Sequence, residues 1–170
     1  KGSNWTINKI EYISFVLTKF AEISRLSGRS FIETPKSLRN LSCLVNVVNN
    51  DHFCFLYSFL SIIKYDSINR QYRNRPNSYN LSEIKFDPND MPMKLSNISK
   101  FEQQNPGYSI NVLTYNEKAL IDISDEDAVM KHPFIDIIYR SKIVGAIPIN
   151  LLLIEKNDNY HYLGITDLNR

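Results

Sequence analysis

A cysteine stands where a polar loop meets an apolar run in the stretch "NNDHFCFLYSFLSII", residues 49–63. The apolar run from Cys54 to Lys64 predicts a helix that is buried on all sides, with Cys54 in its first turn. The helix dipole and free backbone N–H groups stabilise a thiolate at such a position. Two interpretations follow, a nucleophilic thiol or a small core residue.

A histidine that could serve as the base stands far along the chain. His161 lies in the predicted strand "NYHYLGI". A cysteine at a helix start and a histidine on a separate strand suit a thiol hydrolase, because rigid elements then fix their distance. The loop "NNDHF" can supply an oxyanion hole. We expect His52 and His132 at the surface, and Cys43 in the core.

The residue that orients His161 can be ranked from strand geometry. Residues two apart on a strand share a face, so the Asn159 oxygen is predicted to accept a hydrogen bond from the imidazole. Asp167 has the right parity but lies about 20 Å away along a straight strand. Asp158 would point to the other side. The order of preference is Asn159, then Asp167, then Asp158.

The elements that must position these residues change in type along the chain of 170 residues. A helix is predicted over Thr6–Leu26, with Gly28 closing it, and a short one in "KLSNISKFEQQNPG". The second half has the β-branched and aromatic pattern of strands. These are predicted at Tyr108–Tyr115, Phe134–Arg140, Ala146–Glu155 and Tyr160–Leu168. Helices followed by a mostly antiparallel sheet indicate the α+β class.

Composition limits the function classes. Two cysteines make neither a disulfide framework nor a zinc set, so we expect reduced thiols, no metal and no cofactor. No apolar run approaches the 18 or so residues that span a bilayer. A net charge of +2 is too balanced to indicate a nucleic-acid-binding domain. One cluster keeps that function as an alternative: Lys64, Arg70, Arg73 and Arg75 alternate with Tyr65 and Tyr72.

Three sequence boxes occur in a known order. "N-x-D-x-x-C-F-x-x-S" at residues 49–58 precedes "KFEQQN…INVLTY" and then "LLLIE…HYLGITDLNR". Over roughly residues 40–170 this order resembles the viral tegument-like deubiquitinases. That family comprises papain-fold cysteine peptidases of transposon-encoded and bacterial proteins, related to herpesvirus large tegument proteases. The box from Asp51 to Cys54 is also similar to that of the ovarian-tumour deubiquitinases.

The resemblance implies a papain-like cysteine protease that cleaves isopeptide bonds at the C-terminal glycine of ubiquitin or a ubiquitin-like modifier. It implies Cys54 as nucleophile and His161 as base, with Asn49 and Asp51 in the oxyanion site. The third catalytic residue, which orients the histidine, differs from both families. Tegument proteases carry Asp two residues before their His, where this chain has Asn159. Ovarian-tumour enzymes carry Asp or Asn two residues after it, where this chain has Leu163.

The implied substrate suggests a binding role for the one dense acidic segment. Ubiquitin's tail carries arginines before its Gly-Gly end, and carboxylates on the cleft rim would attract them. The candidate residues are Asp122, Asp125, Glu126 and Asp127.

We expect one catalytic domain over residues 1–170. Residues 1–3 are interpreted as a cloning remnant, 4–40 as a helical extension and 41–170 as the peptidase core. The expected protein is a monomer without membrane contact that binds ubiquitin or polyubiquitin. The expected location is intracellular, in cytoplasm or nucleus, or in host cytosol for a bacterial effector. The alternatives are a nucleic-acid-binding module of a mobile-element protein and a catalytically inactive papain-like binding domain.

Overall fold

The computed structural model describes residues 27–116 and 134–168. Helix α1 spans Cys54–Ile63 and helix α2 spans Ile98–Gln104. Both confirm helices predicted from the sequence. The predicted helix Thr6–Leu26 and the acidic segment 122–127 lie outside the described residues. Within the described ranges, no helix combines the length and apolar character needed to cross a membrane.

Five strands form one mixed sheet. They are β1 (Leu44–Val45), β2 (Tyr108–Asn116), β3 (Phe134–Arg140), β4 (Ile147–Lys156) and β5 (Asn159–Ile165), in the order β1-β5-β4-β2-β3. Strands β2 and β4 run parallel, and the other three pairings are antiparallel. The α+β class is confirmed. Strand β1 was not predicted, because two residues are too few for a period-2 pattern.

Aromatic contacts fix α1 against the sheet. The Phe55 ring meets Phe101 of α2 at 5.1 Å and Tyr162 of β5 at 5.3 Å, both edge to face. Such pairs stabilise beyond the apolar area that they bury. The helix and strand also approach closely, since a Cβ added at Gly164 would lie 2.5 Å from Oγ of Ser61. Only glycine fits β5 there, so α1 lies directly along this strand.

The sheet has a core on each face. The larger core contains most of α1 together with Tyr162 of β5. The smaller core lies on the other face and contains Leu163 and Ile165. This division follows from the alternation of side chains along a strand. It places every second residue of β5 in each core.

A buried carboxylate links α2 to the sheet and allows a stability prediction. Glu102 is 3% exposed, and its two oxygens accept from the Ile110 N–H at 2.7 Å and the Tyr139 hydroxyl at 2.9 Å. We expect Glu102→Ala to lower the free energy of unfolding by about 2–3 kcal/mol, because two donors lose their partner. Urea denaturation measures this, with the exposed Glu155→Ala as control. Equal effects of both substitutions would contradict the prediction.

Candidate active site

The Cys54 thiol is fully buried at the first residue of α1. The backbone N–H groups of Tyr162 and Phe55 lie close enough to its sulfur to favour the thiolate. Burial raises the pKa of the thiol to about 12, the backbone contacts oppose this rise, and the charge of Asp51 adds to it. In the state described, the thiol is therefore protonated at neutral pH, although N–H donors are already aimed at the sulfur.

The His161 ring is held by an asparagine. Its Nε2 lies 2.8 Å from Oδ1 of Asn46. The Asn46 amide nitrogen donates to the Ile32 carbonyl at 2.9 Å and to the Thr34 hydroxyl at 3.0 Å, so its oxygen must face the ring. Nε2 then carries the proton that Oδ1 accepts. Nδ1 keeps its lone pair and is buried; among the described residues the Ser30 backbone lies near the ring and would accept from it only in the charged form.

The thiol and the imidazole are associated with neighbouring residues of β5. Tyr162 follows His161 directly, and its N–H reaches the Cys54 sulfur. Its carbonyl accepts from Oγ of Ser58, one helical turn after the cysteine, at 2.7 Å. The first two turns of α1 thus bind the backbone of β5 immediately beside the histidine. A neutral imidazole nitrogen can accept a thiol proton when the two groups come within hydrogen-bond distance.

The predicted contact between Asn159 and His161 is not made. The Asn159 side chain is exposed, and its amide donates to the Asn157 carbonyl at 3.2 Å in the β4–β5 turn. The alternation argument gave the correct face of the strand. It did not account for the tight turn, in which Asn157 and Asp158 both have positive φ. A strand-end side chain next to such a turn bonds locally.

The two lower-ranked residues also lie elsewhere. Asp158 is exposed in the β4–β5 turn. Asp167 follows the end of β5 and lines a surface groove with Ser42 and Tyr65. Sequence reasoning missed Asn46, although a signal was present: it is the one polar residue between Leu44 and Val48.

The loop before Cys54 is tied together by Asp51. Its Oδ1 accepts from the Phe53 N–H at 3.0 Å and the Asn49 amide at 2.9 Å, and its Oδ2 accepts from the Tyr57 hydroxyl at 3.0 Å. Burial and this contact raise the pKa of Tyr57 to about 12. An ionised carboxylate accepts only, so the Asp51 side chain cannot donate to an oxyanion. Its role in the predicted oxyanion site is to shape the loop.

Asn49 differs from Asp51 because it carries donors. Its amide nitrogen bonds the Asp51 carbonyl at 2.9 Å and, more weakly, the Arg29 carbonyl at 3.4 Å. The second contact goes to a segment that crosses the site. One amide hydrogen of Asn49 is therefore directed towards the segment that crosses the site.

The remaining predicted residues are separated from this cluster. His52 is exposed, as expected. Cys43 is buried beside β1, also as expected for a core cysteine. His132 and the four acidic candidates, residues 122–127, lie outside the described residues. No protein-family model, curated protein or solved structure matches this chain.

Burial of His161 predicts how stability depends on pH. Burial lowers the pKa of His161 from 6.5 to about 4, and the Ser30 backbone opposes this in part. Below pH 6.5 the unfolded chain therefore binds a proton that the folded protein does not. The contribution of neutral His161 to the free energy of unfolding is fully present above pH 6.5 and is lost as the pH decreases towards 4. We expect this histidine to account for a loss of about 2–3 kcal/mol between pH 7.5 and 4.5.

Urea unfolding at these two pH values tests the expectation. The His161→Gln variant should show a smaller acid-induced loss than the unmodified protein, because glutamine does not titrate. Titrating carboxylates lower the stability of both proteins by the same amount, so they cancel when the two acid-induced losses are subtracted. The exposed His52→Gln serves as control and should keep the full pH dependence. An unchanged pH dependence in His161→Gln would contradict a buried neutral imidazole.

Proposed function

We propose that this chain is a cysteine-type deubiquitinase of papain-like architecture. Cys54 is the nucleophile, His161 the general base and Asn46 the residue that orients the base. One observation carries the proposal: the Asn46 contact leaves Nδ1 of His161 unprotonated, beside the Tyr162 backbone that holds the thiol. The order of the sequence boxes supports ubiquitin as the substrate class.

In the proposed reaction, Nδ1 of His161 takes the proton of Cys54. The sulfur attacks the carbonyl carbon of the substrate's C-terminal glycine, and the carbonyl π electrons move to oxygen. The imidazolium then protonates the leaving lysine amine as the C–N bond breaks and a thioester forms. Water, deprotonated by His161, attacks the thioester. The glycine carboxylate leaves, and the thiol recovers its proton.

The oxyanion is assigned to donors at the start of α1. The first turn of a helix has N–H groups without intrahelical acceptors, and they point towards an incoming carbonyl oxygen. The Asn49 amide supplies a further donor once its contact with Arg29 opens. Asp51 holds the Asn49 amide and the start of α1 in place, because its carboxylate accepts from Asn49 and from the Phe53 N–H.

Binding of the ubiquitin tail is assigned to the groove between β5 and the loop that leads to Cys54, and the acidic segment 122–127 remains the proposed partner of the tail's arginines. The intracellular location, in cytoplasm or nucleus, follows from this substrate and is part of the proposal.

Nucleic-acid binding is the second candidate function, because the residues that would carry it contact other side chains of the protein. The Arg73 guanidinium lies 3.6 Å above the Tyr65 ring, and Arg75 lies 4.8 Å from the centre of the Tyr72 ring. Each tyrosine therefore has a face covered by a cation and unavailable for stacking with a base. Lys64 forms an ion pair with Glu83.

Incubation with a panel of ubiquitin dimers tests the proposal. Cleavage of at least one linkage that requires His161 is the expected result, with His52→Gln retaining activity. Absence of cleavage for every linkage and for a C-terminal ubiquitin ester would contradict the proposal. Ubiquitin binding without turnover would favour the inactive papain-like binding domain.

A further inference from the structure

A short segment crosses the candidate site. We call Ser27–Ile32 the strap. Its backbone contacts both sides of the cleft: the Arg29 N–H donates to the Tyr160 carbonyl of β5 at 2.7 Å, and the Phe31 N–H donates to the Asn49 carbonyl at 3.0 Å. A bridge to Lys94 holds its first residue. The strap therefore runs between β5 and the loop that leads to Cys54.

The strap covers both reactive side chains. A Cβ added at Gly28 would lie 2.8 Å from the Cys54 sulfur and 2.5 Å from the Tyr162 ring. The Phe31 ring stands edge to face against His161, with 5.8 Å between centroids. Cys54 and His161 are both 0% exposed. No substrate carbonyl can reach the sulfur while the strap occupies this position.

The contacts of the strap are those of a bound peptide. It is held by main-chain hydrogen bonds on two walls, and the amides of Asn49 and Asn46 donate to its carbonyls at Arg29 and Ile32. Its residue at the sulfur is glycine, and the close approach admits no side chain there. An extended tail with glycine at the nucleophile is what a ubiquitin C-terminus presents.

We infer that the strap occupies, as a pseudosubstrate, the groove that binds an extended glycine-bearing tail, so that this state of the enzyme is closed. The inference rests on the proposed function. It assigns Tyr160, Asn49 and Lys94 as main-chain partners of the tail. It also explains the requirement for glycine at the reacting end of the substrate.

The protonation state of the site supports a closed resting state. With the strap in place, burial raises the pKa of Cys54 to about 12 and lowers that of His161 to about 4, so both groups are neutral. Departure of the strap admits water, which removes the main cause of both shifts. Opening the groove and forming the thiolate–imidazolium pair are then one event.

The first test measures alkylation of Cys54 by iodoacetamide, located by mass spectrometry in the full chain. Gly28→Leu cannot place its side chain against the sulfur and Tyr162, so we expect Cys54 to react at least 10-fold faster. Arg29→Leu adds the same side chain at an exposed strap position and should change the rate less than 2-fold. Equal rates for Gly28→Leu and the unmodified protein would overturn the inference.

The buried Cys43 provides an internal control for unfolding. Release of the strap accelerates Cys54 alone, whereas unfolding accelerates both thiols. If Gly28→Leu unfolds the chain, a second variant decides. Ser27 and Lys94 are antiparallel bridge partners, so Ser27→Cys combined with Lys94→Cys places two thiols within reach of a disulfide.

Oxidation of the double variant should slow Cys54 alkylation at least 10-fold relative to the reduced form, and a reductant should restore the rate. Equal rates in both forms would overturn the inference. Alkylation needs no ubiquitin, so the two proposals can fail separately. Strap-dependent alkylation without ubiquitin cleavage refutes the proposed function only, whereas cleavage without strap-dependent alkylation refutes the pseudosubstrate only.

Discussion

Cys54→Ala should abolish cleavage of ubiquitin conjugates and Cys43→Ala should retain it, which is the largest effect expected for the protein. Both thiols are buried, at 0% and 4% exposure, so they form a matched pair that differs in surroundings. Cys54 stands at a helix start with backbone N–H groups near its sulfur, whereas Cys43 lies beside β1. Loss of a nucleophile removes the covalent path, so we expect turnover to fall by at least about 1,000-fold.

Steady-state cleavage of a fluorogenic ubiquitin ester measures this effect, and urea unfolding verifies that each variant is folded. Removal of one buried sulfur should cost both variants a similar free energy of unfolding, on the order of 1 kcal/mol. Loss of activity in Cys43→Ala together with retained activity in Cys54→Ala would refute the assignment of the nucleophile.

Asn46→Ala should lower kcat by about 10- to 100-fold with little change in KM, the second-largest effect expected. Without the Asn46 oxygen, the His161 ring loses the acceptor that fixes its orientation and its Nε2 proton. Asn159→Ala is the matched control, because this amide bonds only its own turn and is exposed. The control should keep near-normal turnover.

A pH profile separates positioning from a general loss of structure. The Asn46 oxygen stabilises the imidazolium, so its removal favours the neutral ring. The alkaline limb of kcat/KM should therefore move to lower pH in Asn46→Ala, and stay in place in Asn159→Ala. If Asn159→Ala instead lost turnover while Asn46→Ala kept both rate and profile, the orienting role of Asn46 would be refuted.

Local patterns were sufficient to predict the elements that carry the reactive pair. The apolar run that begins at Cys54 predicts a buried helix, and the aromatic and β-branched pattern around His161 predicts a strand. Both predictions depend on residues within one element. The structure places α1 along β5, with Oγ of Ser58 bonded to the carbonyl of Tyr162, the residue after His161.

The residue that orients His161 could not be predicted from patterns within one element. Asn46 is 115 residues away in sequence, and it reaches the ring because β1 pairs with Gly164 and Ile165 of β5. Strand pairing across such a separation leaves no periodic signal. Asn159 has the right parity, but its turn geometry draws its amide away. Gly28, predicted to close a helix, lies against the Cys54 sulfur, a contact that no local pattern indicates.

Reaction with ubiquitin that carries a thiol-reactive C-terminal warhead tests the central claim most directly. The warhead reports nucleophile and substrate class together, because it reacts only when ubiquitin is bound with its tail at an activated thiol. Peptide mapping of the product should place the adduct on Cys54, and His161→Gln should slow its formation. An adduct on Cys43, or no adduct while iodoacetamide still alkylates Cys54, would contradict the account.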